Sequence, residues 1–278
     1  MSLFVCSINS GSNGNCYYIA NQHEAILVDA GICCRETERR MDRQGLSIDK
    51  VKAIFISHEH HDHIKGVPVL AKKYQIPVYI TKRTLDHGSL TLDSHLVKTF
   101  WSYEDIFIGG LTVTPFPKFH DAAEPHSFIV SDKEVKVGVF TDIGIVCKDV
   151  ISQFKKCNAA FLEANYDTDL LSKGNYPYHL KKRITGGRGH LSNAQALDVF
   201  TKHKSNNMSH VFLAHLSKDN NCPKLVKELF TTHAKGTHVV VASRDAESDV
   251  YEIKAGISQK LNLLKRVIQP ASIQYSLF

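Results

Sequence analysis

The chain has 278 residues, 43% of them hydrophobic and 22% charged, so it can bury a sizeable core and is neither a disordered tail nor a fibrous repeat. A formal charge of +6 and an isoelectric point near 8.8 give a modest bias toward polyanionic partners, far short of a histone-like excess. Seven scattered cysteines without a CxxC pair argue against a disulfide scaffold, and the N-terminus has neither a basic flank nor a long apolar run, so the expectation is a reduced, cytoplasmic protein with no signal peptide and no membrane span.

Residues 2–8 and 16–20 read as strands flanking a glycine-rich turn, GSNG. Residues 25–29 (AILVD) form a buried strand ending in an acid, 34–44 a charged helix, 53–57 (AIFIS) another buried strand, and 66–74 a helix. Further strands are expected near 78–80, 111–116, 127–131 and 136–141. In the second half, 159–162, 211–214, 239–242 and 250–253 read as strands and 224–232 as a helix. Ser192 and Gln195 have the S-x-x-Q form of a capping box, which predicts a helix over 193–203. Strands in runs with helices interspersed predict an α/β (α+β) fold: an αββα sandwich of two mixed β-sheets flanked by helices. This domain is assigned to residues 1–255, with 256–278 as a C-terminal extension.

Sixteen histidines are many for this length and point to metal binding or acid–base chemistry. The decisive segment, SHEHHDH, spans residues 57–63 directly after a buried strand. In an extended chain residues two apart face the same way, so His58 and His60 aim at one point. The chain then turns, and Asp62 and His63 can face a second point nearby. Imidazole and carboxylate together suit Zn²⁺, Mn²⁺ or Fe.

This H-x-H-x-D-H pattern resembles the signature of the metallo-β-lactamase superfamily, and the other motifs can be followed in order. Asp29 in DAG is similar to the superfamily's buried supporting carboxylate, His120 in FPKFHDA to its third motif, Asp142 in VFTDIG to its bridging carboxylate and His215 in FLAHLS to its last histidine. His126 is a rival to His120, which is preferred because it follows a strand and precedes Asp121. GSNGNCYYI, LEANYD, GNYPYHLKKRI, GHLSN and LAHLSKDNN extend the likeness to the bacterial YycJ (WalJ) family over nearly all the chain up to about residue 254. The resemblance implies a DNA exonuclease of 5′ to 3′ polarity, linked to repair.

It also implies two divalent ions, Zn²⁺ or Mn²⁺: one on His58, His60 and His120, the other on Asp62, His63 and His215, with Asp142 joining both. His190, in GHLSN, resembles the non-ligand histidine of tRNase Z-like phosphodiesterases, and Glu163 its carboxylate partner. The catalytic set is then His190, Glu163 and Asp62. Lys181, Lys182, Arg183 and Arg188 flank a Gly186-Gly187 turn and read as a flexible cationic loop able to grip DNA phosphates without reading bases, with Tyr176, Tyr178 and His179 as further contacts. A solvated helix face explains the same charges. The final residues, with Gln274, Leu277 and Phe278, resemble the Q-x-x-L-F pentapeptide that docks bacterial repair proteins on the sliding clamp. Competing expectations are an RNA-processing nuclease, a thioesterase-like hydrolase of the same fold, and a non-catalytic docking protein.

Overall fold

In a computed structural model the protein is described over residues 2–255, so the C-terminal extension and Gln274, Leu277 and Phe278 lie outside the described residues. The first sheet contains β1 (Ser2–Asn9), β2 (Cys16–Ala20), β3 (Ala25–Val28), β4 (Val51–Phe55), β5 (Val78–Tyr79) and β6 (Val97–Lys98). The second contains β7 (Ile106–Ile108), β8 (Leu111–Pro117), β9 (His126–Asp132), β10 (Val135–Phe140), β11 (Ala159–Glu163), β12 (His210–Ala214) and β13 (His238–Val241). The last described strand, β14 (Tyr251–Lys254), returns to the first sheet beside β1. Each sheet is mixed: β14-β1-β2-β3 and β7-β8-β9-β10 are antiparallel runs, while β3-β4-β5-β6 and β10-β11-β12-β13 are parallel.

The strand sequences explain the layering. In β3, Ile26 and Val28 face the other sheet while Ala25 and Leu27 face helices; in β11, Ala159 and Phe161 divide from Ala160 and Leu162 in the same way. These short runs are apolar at every position because both faces are covered. α1 (Cys34–Arg43), α2 (His61–Ile64), α3 (Val67–Tyr74) and α4 (Lys82–Gly88) follow strands of the first sheet. α5 (Lys148–Phe154), α6 (Thr168–Lys173), α7 (Tyr178–Thr185), α8 (Asn193–His203) and α9 (Pro223–Thr231) belong to the half containing the second. The helix over 193–203 forms as its capping box requires: Ser192 Oγ accepts the Gln195 N–H at 3.2 Å and Gln195 Oε1 the Ser192 N–H at 2.9 Å.

One expectation is corrected. The segment carrying Lys181, Lys182 and Arg183 is not a flexible loop but helix α7. Its run YHLKKRIT lacks glycine and proline, and Leu180 and Ile184, four apart, give it one half-buried apolar stripe. Only Gly186 and Gly187, which end it, behave as the expected turn. Helices α4, α5 and α6 went unread in the sequence because each is two turns or less, too short for a clear periodicity.

Candidate metal centre

The C-terminal ends of the buried strands deliver the polar residues. Asp29 follows β3, Ser57 and His58 follow β4, Asp142 follows β10, Glu163 closes β11 and His215 follows β12. Asp29, Asp142 and His215 all leave their strands in the left-handed region, with φ of 60°, 55° and 56°. Non-glycine residues rarely adopt this conformation, although Asp and His tolerate it better than most. Three such turns in one place are backbone strain concentrated at a site and held by the packed sheets below.

Five imidazoles meet there, each with one ring nitrogen tied to the protein. His58 Nδ1 lies 2.9 Å from Ser57 Oγ, His60 Nε2 3.2 Å from the Asp121 carbonyl, and His120 Nδ1 3.1 Å from the Gly189 carbonyl. His63 Nδ1 lies 2.7 Å from Asp29 Oδ2 and His215 Nδ1 3.0 Å from Glu163 Oε1. Tethering one nitrogen turns the other inward, the arrangement that orients metal-binding histidines. The inward atoms converge. His60 Nδ1 is 3.1 Å from His58 Nε2 and 3.3 Å from His120 Nε2, while Asp62 Oδ2 is 3.5 Å from both His63 Nε2 and His215 Nε2. Asp142 stands between the two groups: Oδ2 is 3.3 Å from His63 Nε2, and Oδ1 is 3.8 Å from His120 Nε2.

The arrangement fits a cation. Asp142 Oδ2 and His215 Nε2 are sealed from solvent and have no hydrogen-bond partner among the described residues. Orphaned polar atoms at the centre of a ligand cluster are costly unless something positive sits between them. Ligand atoms of His58, His60 and His120 lie within 4.8 Å of one another, as do those of Asp62, His63 and His215. The mixed N and O donors suit a borderline divalent ion.

Charge balance supports the same picture. Burial pushes the His120 imidazole down to about 4 and His58 well below the usual histidine range, so both are neutral, the form a metal ligand needs. Burial also disfavours charge on His63, but Asp142, Asp29 and Asp62 outweigh it and raise the imidazole to about 10. Asp62 is drawn down to about 2 against its own burial, chiefly by His63 and His215. Asp62 and Asp142, both lowered, thus already hold counter-charge, a role a bound cation would take over.

Glu163 is fully buried, and its Oε1 lies 2.8 Å from His190 Nδ1. Its Oε2 accepts the N–H groups of Ile143 and Leu191 at 2.8 and 3.1 Å. Burial would raise this carboxyl, but His190 wins and holds it at about 2. His190 Nδ1 is also 3.7 Å from Asp142 Oδ1, so the pair sits against the cluster while the His190 ring keeps 19% of its surface open.

The neighbourhood contains residues that sequence reasoning missed. Asn15 Nδ2 lies 3.1 Å from His63 Nε2, and Asn165 Nδ2 donates to the His215 carbonyl at 2.8 Å. Buried Lys118 donates to the Thr141 carbonyl at 2.7 Å, bracing the turn that presents Asp142. Only Lys118 carried a signal, as a lone lysine in an otherwise apolar strand end. The rival histidine lies elsewhere: His126 Nδ1 is 2.9 Å from the Glu124 carbonyl and Nε2 2.9 Å from Ser102 Oγ. His61 is exposed.

The expected DNA contacts divide. Arg183 Nε bonds Asp121 Oδ2 at 2.5 Å, and Lys181 Nζ donates to the Ser172 carbonyl at 2.7 Å. Lys182 and Arg188 are exposed, with no side-chain partner among the described residues. Arg183 thus ties α7 to the residue after His120, while Lys182 and Arg188 are available to a ligand.

The chain is similar to known proteins. The family described as the beta-lactamase superfamily domain matches residues 24–215. Exodeoxyribonuclease YycJ of Bacillus anthracis is 36% identical over 233 residues, covering 82% of this chain and 87% of that protein. Exodeoxyribonuclease WalJ of Streptococcus pneumoniae is 30% identical over 248 residues, 87% of each chain. Among solved structures, the metallo-beta-lactamase fold protein YhfI from Bacillus subtilis superposes with a TM-score of 0.69 at 17% identity, over 91% of this chain and all of its own. The chain therefore belongs to the metallo-β-lactamase superfamily of metal-dependent hydrolases and, within it, to the family of the YycJ and WalJ exodeoxyribonucleases.

Proposed function

We propose that the protein degrades DNA from an end, by phosphodiester hydrolysis at a centre of two divalent ions, zinc or manganese. The observation that carries this reading is the His190–Glu163 pair placed against the ligand cluster. Hydrolysis of a β-lactam or thioester needs no such pair, whereas an alkoxide leaving from phosphorus needs a proton. Similarity to two exodeoxyribonucleases, at 36% and 30% identity over most of the chain, supports DNA over RNA. A 5′ to 3′ polarity, a place in DNA repair and a cytoplasmic location belong to the same proposal; no helix among the described residues is long and apolar enough to cross a membrane.

His58, His60 and His120 would hold one ion, Asp62, His63 and His215 the other, with Asp142 between them and Asp29 fixing His63. Ions so held supply an activated water near neutral pH and neutralise phosphoryl charge. The chain's own residues do the rest. Glu163 Oε1 fixes the His190 ring through Nδ1, so that Nε2 would face the leaving oxygen and hand it a proton. Lys182 and Arg188 would hold flanking phosphates. Residues 1–255 would form the catalytic domain, and Gln274, Leu277 and Phe278 would dock on the sliding clamp.

Two experiments test these assignments. A His190→Ala protein should keep its metal content by elemental analysis while its rate on end-labelled DNA falls about 10²–10⁴-fold; an unchanged rate removes His190 from the chemistry. Clamp binding should disappear when residues 274–278 are deleted; equal affinity of both forms rejects the docking role.

A further inference from the structure

A cavity of about 290 Å³ lies beside the strand end that presents His215, and none of the candidate ligands lines it. Ser10, on its wall, accepts the His215 N–H at 2.8 Å. Ser217 and Lys218, on the same wall, follow His215 closely in the chain. The cavity is therefore built on the backbone that presents a candidate ligand.

Its lining has a surplus of donors. Lys218 is exposed and pairs with no acid among the described residues. Arg244 also lines it, and Nη1 of this side chain is covered yet has no hydrogen-bond partner among the described residues. Ser217 Oγ accepts the Asn220 N–H at 3.2 Å and Ser243 Oγ the Asp245 N–H at 3.0 Å, which orients both hydroxyls and leaves their protons to donate. Asp245 is the acid of the lining, which therefore holds two cations and one carboxylate. Leu216 and Val241 add apolar surface. Cations and hydroxyl donors beside an apolar patch match a nucleotide, with phosphate on the first and sugar or base on the second. The volume suits one nucleotide unit and is too small for a duplex.

We propose that this cavity is a subsite for the last nucleotide of the strand, with Arg244 and Lys218 gripping its terminal phosphate monoester. The inference rests on the nuclease reading and names the end that the enzyme prefers. A monoester carries more charge than an internal diester and adds an oxygen for the arginine fork to hold. A strand end bearing phosphate is therefore favoured over one ending in hydroxyl.

Calorimetric titration of the metal-loaded protein with dAMP tests the cavity directly. Wild type should bind, and Arg244→Ala and Lys218→Ala should each weaken binding about tenfold, the loss of one charged contact. In parallel, oligonucleotides phosphorylated at the 5′ end, at the 3′ end or at neither are digested. The phosphorylated end used by the enzyme should lower KM, and both substitutions should erase that advantage. Lys218 is exposed, so its variant keeps the test decisive if Arg244→Ala does not fold. Absence of dAMP binding to wild type, or equal affinity and end preference in both variants, overturns the proposal. If wild type cleaves no DNA, the nuclease reading falls, while the dAMP titration still decides the cavity.

Discussion

Asp142 concentrates the chemistry of single side chains. It is fully buried, lies in a left-handed turn, and has one oxygen without a partner, yet its carboxyl is held well below the usual range because His215 and His63 outweigh its burial. An asparagine tolerates the same backbone conformation and keeps the shape, so Asp142→Asn removes charge without adding strain. Its affinity for Zn²⁺, measured by competition with a chromophoric chelator, should fall more than about 100-fold, exceeding the loss typical of an outer partner. Wild-type affinity in this variant would show that Asp142 holds no ion. His58, His60, Asp62 and His63 were legible in the sequence as a candidate ligand group, since they are packed into one short segment after a strand. His120, Asp142 and His215 were placed only through resemblance, because each stands alone in its own strand end. Asn15 and Asn165 were not legible, for their roles exist only once distant strand ends meet, and Lys118 stood out only as a lysine among apolar residues.

At the level of elements, close backbone crossings fix where the ligand segment lies. The Asp62 carbonyl accepts the Asn15 N–H at 2.7 Å, and a Cβ on Gly31 would stand 1.7 Å from that same oxygen. Only glycine lets the turn after β3 pass under the start of α2. Gly31→Ala must push backbone against backbone, and we expect a loss of roughly 3 kcal/mol or more, as for other strained backbone positions, seen as a lowered Tm together with reduced metal content. An unchanged Tm would mean that the two turns are not packed this way. Gly189 works similarly: a Cβ there would lie 2.1 Å from the Ile184 carbonyl, and its own carbonyl fixes His120 Nδ1. Helix α7 is thus joined to the candidate centre twice, through Gly189 and through Arg183 with Asp121. The short apolar strands and the capped helix α8 were readable from pattern alone. Helix α7 was mistaken for a loop, because its charges hid a stripe of only Leu180 and Ile184.

For the whole molecule, two sheets that each run from antiparallel to parallel strands bring their parallel strand ends to one edge, and neither sheet alone contains the site. His58, His60, Asp62 and His63 come with the first sheet, and Asp142, Glu163, His190 and His215 with the second. Ions bound between them would couple the halves, so metal content and activity should rise and fall together. The most direct measurement is the rate of release from end-labelled DNA by the native protein, by the protein stripped with a chelator, and by the stripped protein reloaded with Mn²⁺ or Zn²⁺. The account predicts that stripping abolishes release and that one of these ions restores it. Release at full rate by metal-free protein, or none by protein with its metal verified in place, would contradict it.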